Sequence, residues 1–383
     1  MAGDVDHARQ RRALSHAFST KALLEQEYIV KGYVNDFSEK MKGFAQRGEL
    51  VNVTNWFAYT TFDIIGDLAL GKPFGCLENA DFRFWVPLIS DSIKAGAIEQ
   101  VTRRLATIGS PLQRVLQWCI PKSITETRRK HLEYSREKIM ARISQTDRDH
   151  RDFLYYLMRQ QDKEQLNLDE VIVNGALFII AGTETTAGFL TGLMNQITRP
   201  NNKHVLDRLT QEIREAFDLD EDLVFERLAQ LPYMTAVIEE GLRIFPSAPI
   251  GFVRTVPQGG DTVCGENLPA GTTVSVTMWA ATHSDRNFEA PYEFRPERWM
   301  NRENSTDKLH ASNPFSLGPR GCIGRNLSYM EMRLILGKLL WHNDVTMAGD
   351  NHVWDPKNEY ENMVVYNNWI KPDLYMKLNP RSW

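Results

Sequence analysis

The residues best suited to chemistry lie in the stretch PFSLGPRGCIGRNL, residues 314 to 327, where one cysteine stands among glycines and arginines. Cys322 comes just before a predicted helix. Backbone N–H groups and the positive end of that helix dipole would lower the pKa of its thiol and favour a thiolate. An isolated buried cysteine is more often a small apolar core residue. Gly318 and Gly324, which leave the backbone open to close approach, favour the functional interpretation.

A second candidate is AGTETTAG, residues 181 to 188, at the midpoint of an otherwise apolar predicted helix. Glycine inside a helix costs about 1 kcal/mol, and a buried carboxylate needs a partner or a proton. Gly182, Glu184, Thr185 and Thr186 therefore indicate either a functional site or a packed glycine with solvated polar neighbours.

A third group combines EEGLRIFP with FRPERW. Glu240 and Arg243 stand three residues apart on one helical face, and Arg298 could offer Glu240 a second guanidinium group. An exposed pair of this kind would contribute little to stability. A buried one would form an ion network that supports neighbouring loops.

The elements that must position these groups are mostly helices. We expect about seven helices between residues 5 and 200. The longest should begin after Asn167, with Glu170 completing a capping box, and end before Pro200. Thirty-one residues give it a length of about 46 Å. Residues 50 to 75 predict a short edge strand followed by a buried helix that ends at Gly71 and Pro73.

After Pro246 short β-type runs follow (FVRTV, TVCGENLPAGTTVSVT), then a helix over about 323 to 342 and closing strands at MVVYNN and LYMKL. The pattern shows no repeat or linker. It predicts a mainly α (α+β) fold, rich in helices with small β-sheets, in one domain covering 1–383.

Composition narrows the function classes. The net charge is −4, from 45 basic and 49 acidic residues, so nucleic acid is not an expected partner. The four cysteines are far apart with no CxxC pair, which argues against a structural zinc site or a disulfide scaffold and favours a reducing compartment. The longest nearly unbroken apolar run, GALFIIAG, is far shorter than the roughly 20 residues of a membrane span, so no membrane-crossing helix is expected.

The cysteine stretch resembles the haem-binding signature FxxGxRxCxG of the cytochromes P450. AGxETT, ExxR and FxPERW match the same family in its order along the chain, and the resemblance covers essentially all of it. DHARQRR resembles the family's WxxxR helix, with His7 in place of Trp and Arg11 as the arginine. The amino-acid sequence is most similar to filamentous-fungal microsomal members of this family, which oxidise terpenoid or polyketide intermediates. The anchor and first helices that precede the WxxxR helix in the family are expected to be missing here.

The resemblance implies a haem b cofactor (iron protoporphyrin IX) with Cys322 as the axial ligand of the haem iron. It implies further cofactor-binding roles for Arg320, Phe315, Gly318, Gly324, Arg254, Arg11, His7, Ala181 and Gly182. Thr185 and Glu184 would be catalytic, delivering protons during dioxygen activation, while Thr186 would serve packing. Residues implied to line an apolar substrate pocket are Phe178 and the segment from Ala248 to Phe252, including Ile250. Glu240, Arg243 and Arg298 would have a structural role.

The implied activity is a monooxygenase that inserts one oxygen atom into an apolar small molecule, with electrons from NADPH through NADPH-cytochrome P450 reductase. A full-length form would sit on the cytosolic face of the endoplasmic reticulum membrane, whereas this chain shows no anchor. Arg325, Arg333 and Lys338 predict either a docking patch for the reductase or a solvated face. Two alternatives stay open: a non-catalytic haem binder or inactive fragment, and a haem-thiolate isomerase or dehydratase. The intact Glu184 and Thr185 argue against the latter.

Overall fold

The computed structural model describes residues 3–79, 81, 83, 85–106, 109–145, 150–159, 166–300, 305–348, 354, 363–370 and 372–382. Within these ranges the α-helices are α1 Asp4–Ser15, α2 Thr20–Arg47, α3 Val53–Leu70, α4 Trp85–Leu105, α5 Pro111–Trp118, α6 Lys122–Ile143, α7 Phe153–Arg159, α8 Leu168–Thr198, α9 Lys203–Ala216, α10 Phe225–Leu228, α11 Pro232–Ile244, α12 Met278–Thr282 and α13 Arg325–His342. The predicted helix-rich fold is confirmed.

The strands are short: β1 Leu50–Asn52, β2 Arg254–Thr255, β3 Asp261–Val263, β4 Glu266–Leu268, β5 Thr273–Val274, β6 Asn343–Met347, β7 Val364–Val365, β8 Trp369–Ile370 and β9 Tyr375–Pro380. They pair antiparallel, as a three-stranded sheet in the order β1-β9-β6 and as the pairs β2-β5, β3-β4 and β7-β8. In the large sheet Val51 pairs with Met376, which in turn pairs with Met347. This sheet joins the strand before α3 to the strand that follows α13.

The central helix α8 has the predicted bounds. The Asn167 side chain accepts from the Glu170 backbone N–H, and the Glu170 side chain accepts from the Asn167 N–H, so the capping box is present. Its length and hydropathy would suit a membrane span, yet 67% of its most apolar window is buried inside the protein. α3 packs along α8, as expected for a buried spine.

Two details differ from expectation. The region up to Thr198 contains eight helices among the described residues rather than seven, because α5 and α7 are short segments whose apolar pattern is too brief to separate by periodicity. Strand β6 follows α13 without a loop and was not foreseen. Its residues alternate between buried and exposed, and its register on β9 continues the core.

A glycine sets the packing of α8 at its midpoint. A Cβ built on Gly182 would lie 2.6 Å from Cγ1 of Ile65 on α3, so only glycine allows the two helices their observed approach. The cofactor-binding role implied for Gly182 stays a prediction, and the structure adds that the missing side chain makes room for α3.

Candidate functional site

The cysteine loop is folded back on itself by its own backbone. The Cys322 N–H donates to the Phe315 carbonyl at 2.8 Å, and the Gly321 N–H donates to the Gly318 carbonyl at 2.9 Å. Gly318 has φ of +75°, a conformation that glycine adopts without steric cost. The loop thus presents the cysteine at the start of α13.

The Cys322 side chain is solvent accessible, although it lies deep among protein atoms. Burial raises the pKa of its thiol, while a hydrogen bond from the Gly324 backbone and the charges of Arg11 and Arg325 act in the opposite direction. We expected the helix end to lower this pKa. For the free thiol that expectation was wrong, since desolvation of the charged form outweighs the helix terminus and the two cations.

Helix α1 reaches the same loop through its basic side chains. Arg11 Nη1 donates to the Gly321 carbonyl at 2.7 Å, and Arg320 of the loop donates to Asp4 of α1 at 2.8 Å. The pKa of His7 is lowered by burial first and then by the charges of Arg320 and Arg11. His7, Arg11 and Arg320 therefore lie together beside the cysteine loop.

Arg254 approaches the loop from β2. Its Nη2 donates to the Ser316 hydroxyl at 3.2 Å. Ser316 has φ of +57°, which is unusual for serine and marks a tight turn. Phe315, the next residue back, is half-buried and contacts the Tyr329 ring of α13, with centroids 5.3 Å apart. The predicted cofactor residues of the loop, α1 and β2 are thus brought together.

The start of α8 is fastened to α1. Arg9 holds both carboxylate oxygens of Glu170, with Nη1 at 3.2 Å from Oε2 and Nη2 at 2.5 Å from Oε1. Gln10 also donates to Glu170, at 3.0 Å. Neighbouring residues of one turn of α1 therefore contact α8 and the cysteine loop.

One face of α8 stays open although most of the helix is buried. Val173 is 57% exposed, Leu177 is 55% exposed, and Ala181 is exposed as well, so the open residues recur every four positions. Thr185 continues the stripe and is half-buried. This spacing puts all four on one helical face. The result is an apolar surface that ends in a hydroxyl group.

The two expected catalytic residues have different surroundings. The Thr185 hydroxyl donates to the Ala181 carbonyl at 2.6 Å, which leaves its oxygen able to accept. Glu184 is buried and borders a cavity of about 290 Å³, whose wall also includes Tyr59, Arg83 and Asp373. Asp373 is exposed, so this polar cavity extends from the Glu184 carboxylate towards the surface.

The expected substrate residues separate into two groups. Ile250 lines a cavity of about 260 Å³ together with Val101 of α4 and Tyr366. Ala248 is half-buried, and Phe252 is 50% exposed.

Phe178 does not belong with them. Its side chain is buried and packs on Phe18 and Phe153, with ring centroids 5.2 and 5.6 Å away. This part of α8 therefore faces an aromatic cluster of the core, and a place for Phe178 in the substrate pocket stays a prediction.

The Glu240 network is buried. Arg243 binds Glu240 through two 2.8 Å hydrogen bonds, Nε to Oε2 and Nη2 to Oε1. Arg298 Nε lies 3.2 Å from Oε1, and Trp299 Nε1 donates to Oε2 at 3.0 Å. Arg243 also donates to the carbonyl oxygens of Thr282, Pro291 and Glu293. One carboxylate thus organises the loops that follow α12.

The expected patch on α13 is only partly present. Arg325 is exposed, whereas Arg333 and Lys338 are buried. Lys338 Nζ binds Asp220 at 2.6 Å, and the Arg333 guanidinium lies 5.0 Å from the Tyr329 ring centroid. The prediction that all three form one surface patch was wrong, because α13 is enclosed by neighbouring elements.

Sequence reasoning missed Glu331, a fully buried acid on α13. Burial raises its pKa to about 8, opposed by a hydrogen bond with Thr186 of α8. Its Oε1 has no hydrogen-bond partner among the described residues. The available signal was a glutamate inside the apolar run of α13, nine residues after Cys322.

Comparison of the sequence with known proteins identifies the family of this chain. A family model described as "Cytochrome P450" matches residues 2–369. The chain is 42% identical to "Cytochrome P450 monooxygenase aba2" of Botryotinia fuckeliana (strain B05.10) over 388 residues, covering 99% of this chain and 73% of that protein. It is also 42% identical to "Cytochrome P450 monooxygenase astJ" of Aspergillus oryzae, covering 100% of this chain and 75% of the relative. A third relative, "Cytochrome P450 monooxygenase atr2" of Stereocaulon alpinum, is 36% identical over 98% of this chain and 72% of that protein.

Proposed function

The chain belongs to the cytochrome P450 family and is a monooxygenase, and on this premise we propose that it inserts one atom of dioxygen into an apolar small molecule. The observation that carries the proposal is the cysteine loop. Its sulfur is accessible at the start of α13, and basic side chains of α1 and β2 contact the same loop.

The residues present fit the haem iron that the family implies. The accessible Cys322 sulfur in the loop would hold the iron, and Arg11, Arg254 and Arg320 would supply guanidinium groups of the kind that bind carboxylates such as haem propionates. A thiolate-ligated haem, as in this family, supplies activation of dioxygen. We propose haem b as the form and Cys322 as its ligand.

The protein's own part in the chemistry is to hold the cofactor and to deliver protons. Ligation requires Cys322 to lose its thiol proton, and the Gly324 N–H and the Arg11 charge favour the anion that results. The exposed stripe formed by Val173, Leu177 and Ala181 would offer an apolar surface that keeps water away from a bound apolar substrate. Thr185 stands at the end of this stripe, where an ordered hydroxyl can pass a proton on.

Glu184 is proposed as the proton source for Thr185. Glu184 lines the polar cavity together with Arg83 and Asp373, and this cavity would offer water a path from the surface. Thr185→Val keeps the shape of the side chain but removes the hydroxyl. We expect reduced coupling, with more hydrogen peroxide and less product per NADPH, while haem binding persists. Thr186→Val is the matched control, and a loss confined to that control would contradict the assignment.

The overall reaction class is tested by the spectrum of the reduced protein with carbon monoxide. A thiolate-ligated haem gives a strongly red-shifted Soret band. We expect this band in the wild-type protein, followed by NADPH oxidation once a reductase is added. Purified protein without haem, or with an unshifted band, would contradict the proposed function.

For the electron donor we propose NADPH-cytochrome P450 reductase, which would dock near the cysteine loop. Arg325 is exposed there, and complementary charge steers association in a manner that weakens with salt. Arg325→Glu should lower the rate of reduction at low ionic strength and lose its effect at high ionic strength. An unchanged rate at both would place docking elsewhere.

The substrate is proposed to be a fungal secondary metabolite, a terpenoid or a polyketide. Support comes from the apolar cavity at Ile250 and from the fungal origin of the similar monooxygenases. Compounds that shift the iron from low to high spin on binding identify candidates. We also propose that residues 1–383 form one domain and that the protein sits at the cytosolic face of the endoplasmic reticulum, which cell fractionation tests.

A further inference from the structure

We propose that Ser247 is a positioning residue, which ties the turn of α8 that carries Thr185 to the segment that lines the proposed substrate pocket. The inference rests on the proposed function, because it gives Thr185 its role in proton delivery. It assigns Ser247 no contact with the reacting atoms.

The contact that supports it is direct. The Ser247 hydroxyl donates to the Thr185 carbonyl oxygen at 2.7 Å, although the two residues are 62 positions apart. The Thr185 hydroxyl itself donates a hydrogen bond within the helix, to the Ala181 carbonyl. A second donor on a helical carbonyl tilts the peptide outward and bends the helix locally. The orientation of the Thr185 turn is therefore set partly from outside α8.

The segment that carries Ser247 is held on both sides. Phe245 stacks on Trp369 with ring centroids 5.3 Å apart, and the Trp369 indole N–H donates to the Pro246 carbonyl at 2.9 Å. On the other side the Trp279 N–H donates to the Pro249 carbonyl at 3.0 Å. Ser247 thus stands between two fixed points, so its hydroxyl meets α8 at a defined place.

The same segment continues into the pocket residues. Ala248 follows Ser247 directly, Ile250 borders the 260 Å³ cavity, and Phe252 is half exposed. A ligand that presses on these side chains therefore acts on a segment whose Ser247 side chain is hydrogen-bonded to the Thr185 carbonyl. One neutral hydrogen bond links pocket occupancy to the turn that delivers protons.

The test compares Ser247→Ala with Ser247→Thr in the haem-loaded protein. Hydrogen exchange is measured on the peptide covering residues 183 to 190, and the C–O stretching band is measured in the carbon monoxide complex. Loss of one hydrogen bond should speed exchange by about 2- to 10-fold, and the C–O band should shift or broaden as the Thr185 turn moves. Ser247→Thr keeps a hydroxyl and should restore both values.

Thr198→Val serves as the control, because the Thr198 hydroxyl donates to the Met194 carbonyl within α8, far from Thr185. It should leave exchange over 183 to 190 and the C–O band unchanged. Wild-type values in Ser247→Ala, or loss of haem by that variant, would overturn the positioning role. A wild-type protein without the thiolate-type band would instead contradict the proposed function, while the exchange comparison would still decide the Ser247 contact.

Discussion

The buried acid Glu331 makes the stability of this protein depend on pH in a direction that can be calculated. Its folded pKa of about 8 stands above the ordinary value of 4.5, so the folded state keeps a proton that the unfolded chain releases. Stability from this group is fully present below about pH 4.5 and is lost as pH rises through the folded pKa. Between about pH 5.5 and pH 8 the loss amounts to about 3 kcal/mol.

Glu331→Gln removes this titration and keeps the side-chain size. The free energy of unfolding, measured by urea denaturation with circular dichroism, should fall with pH by about 3 kcal/mol more in the wild type than in the variant. Glu39→Gln is the control, because Glu39 forms an exposed pair with Lys42 and should leave the pH dependence unchanged. Parallel pH curves for wild type and Glu331→Gln would refute the reasoning, since they would mean that Glu331 titrates normally in the folded protein.

Two further substitutions test the cofactor ligand and the ion network. Cys322→Ala should abolish the thiolate-type carbon monoxide spectrum, whereas Cys119→Ala, at another exposed cysteine, should not; a normal spectrum in the first variant would remove the ligand assignment. Arg243→Leu leaves Glu240 as a buried charge with fewer partners and should cost about 3 to 5 kcal/mol of stability, visible as lost haem and soluble yield. Arg129→Leu, on an exposed pair, should cost under about 1 kcal/mol, and equal effects from the two would contradict the burial argument.

Much of the fold could be predicted because strong local signals agreed with tertiary packing. The capping box at Asn167 and the Pro200 stop bounded α8, and Gly71 closed α3 in a left-handed conformation. These signals act over a few residues, so they can be recognised in the sequence alone. Short elements are harder: α5 is capped by Ser110 at its start but spans only eight residues, and β6 follows α13 with no mark between them.

The site was predictable in its residue types but less so in their directions. Phe178 and Gly182 lie one turn apart on the same face of α8, yet successive turns of that face meet different neighbours. Only packing shows that Phe178 joins Phe18 and that Gly182 meets Ile65. Lys338 was expected at the surface because lysine side chains are usually exposed, but it is buried and forms an ion pair with Asp220. Long-range partners of this kind leave no local pattern.

The contacts of α1 with the cysteine loop and with α8 determine when these parts of the protein can assemble during synthesis. Arg11 and Gly321 are 310 residues apart, and Arg9 and Glu170 are 161 apart, so α1 must wait for most of the chain to leave the ribosome. Contacts between distant segments form late, because loop closure costs entropy before they contribute. Cofactor capture that uses Arg11 and the cysteine loop together therefore has to follow the synthesis of both segments, and α1 stays without its partner in the loop until then.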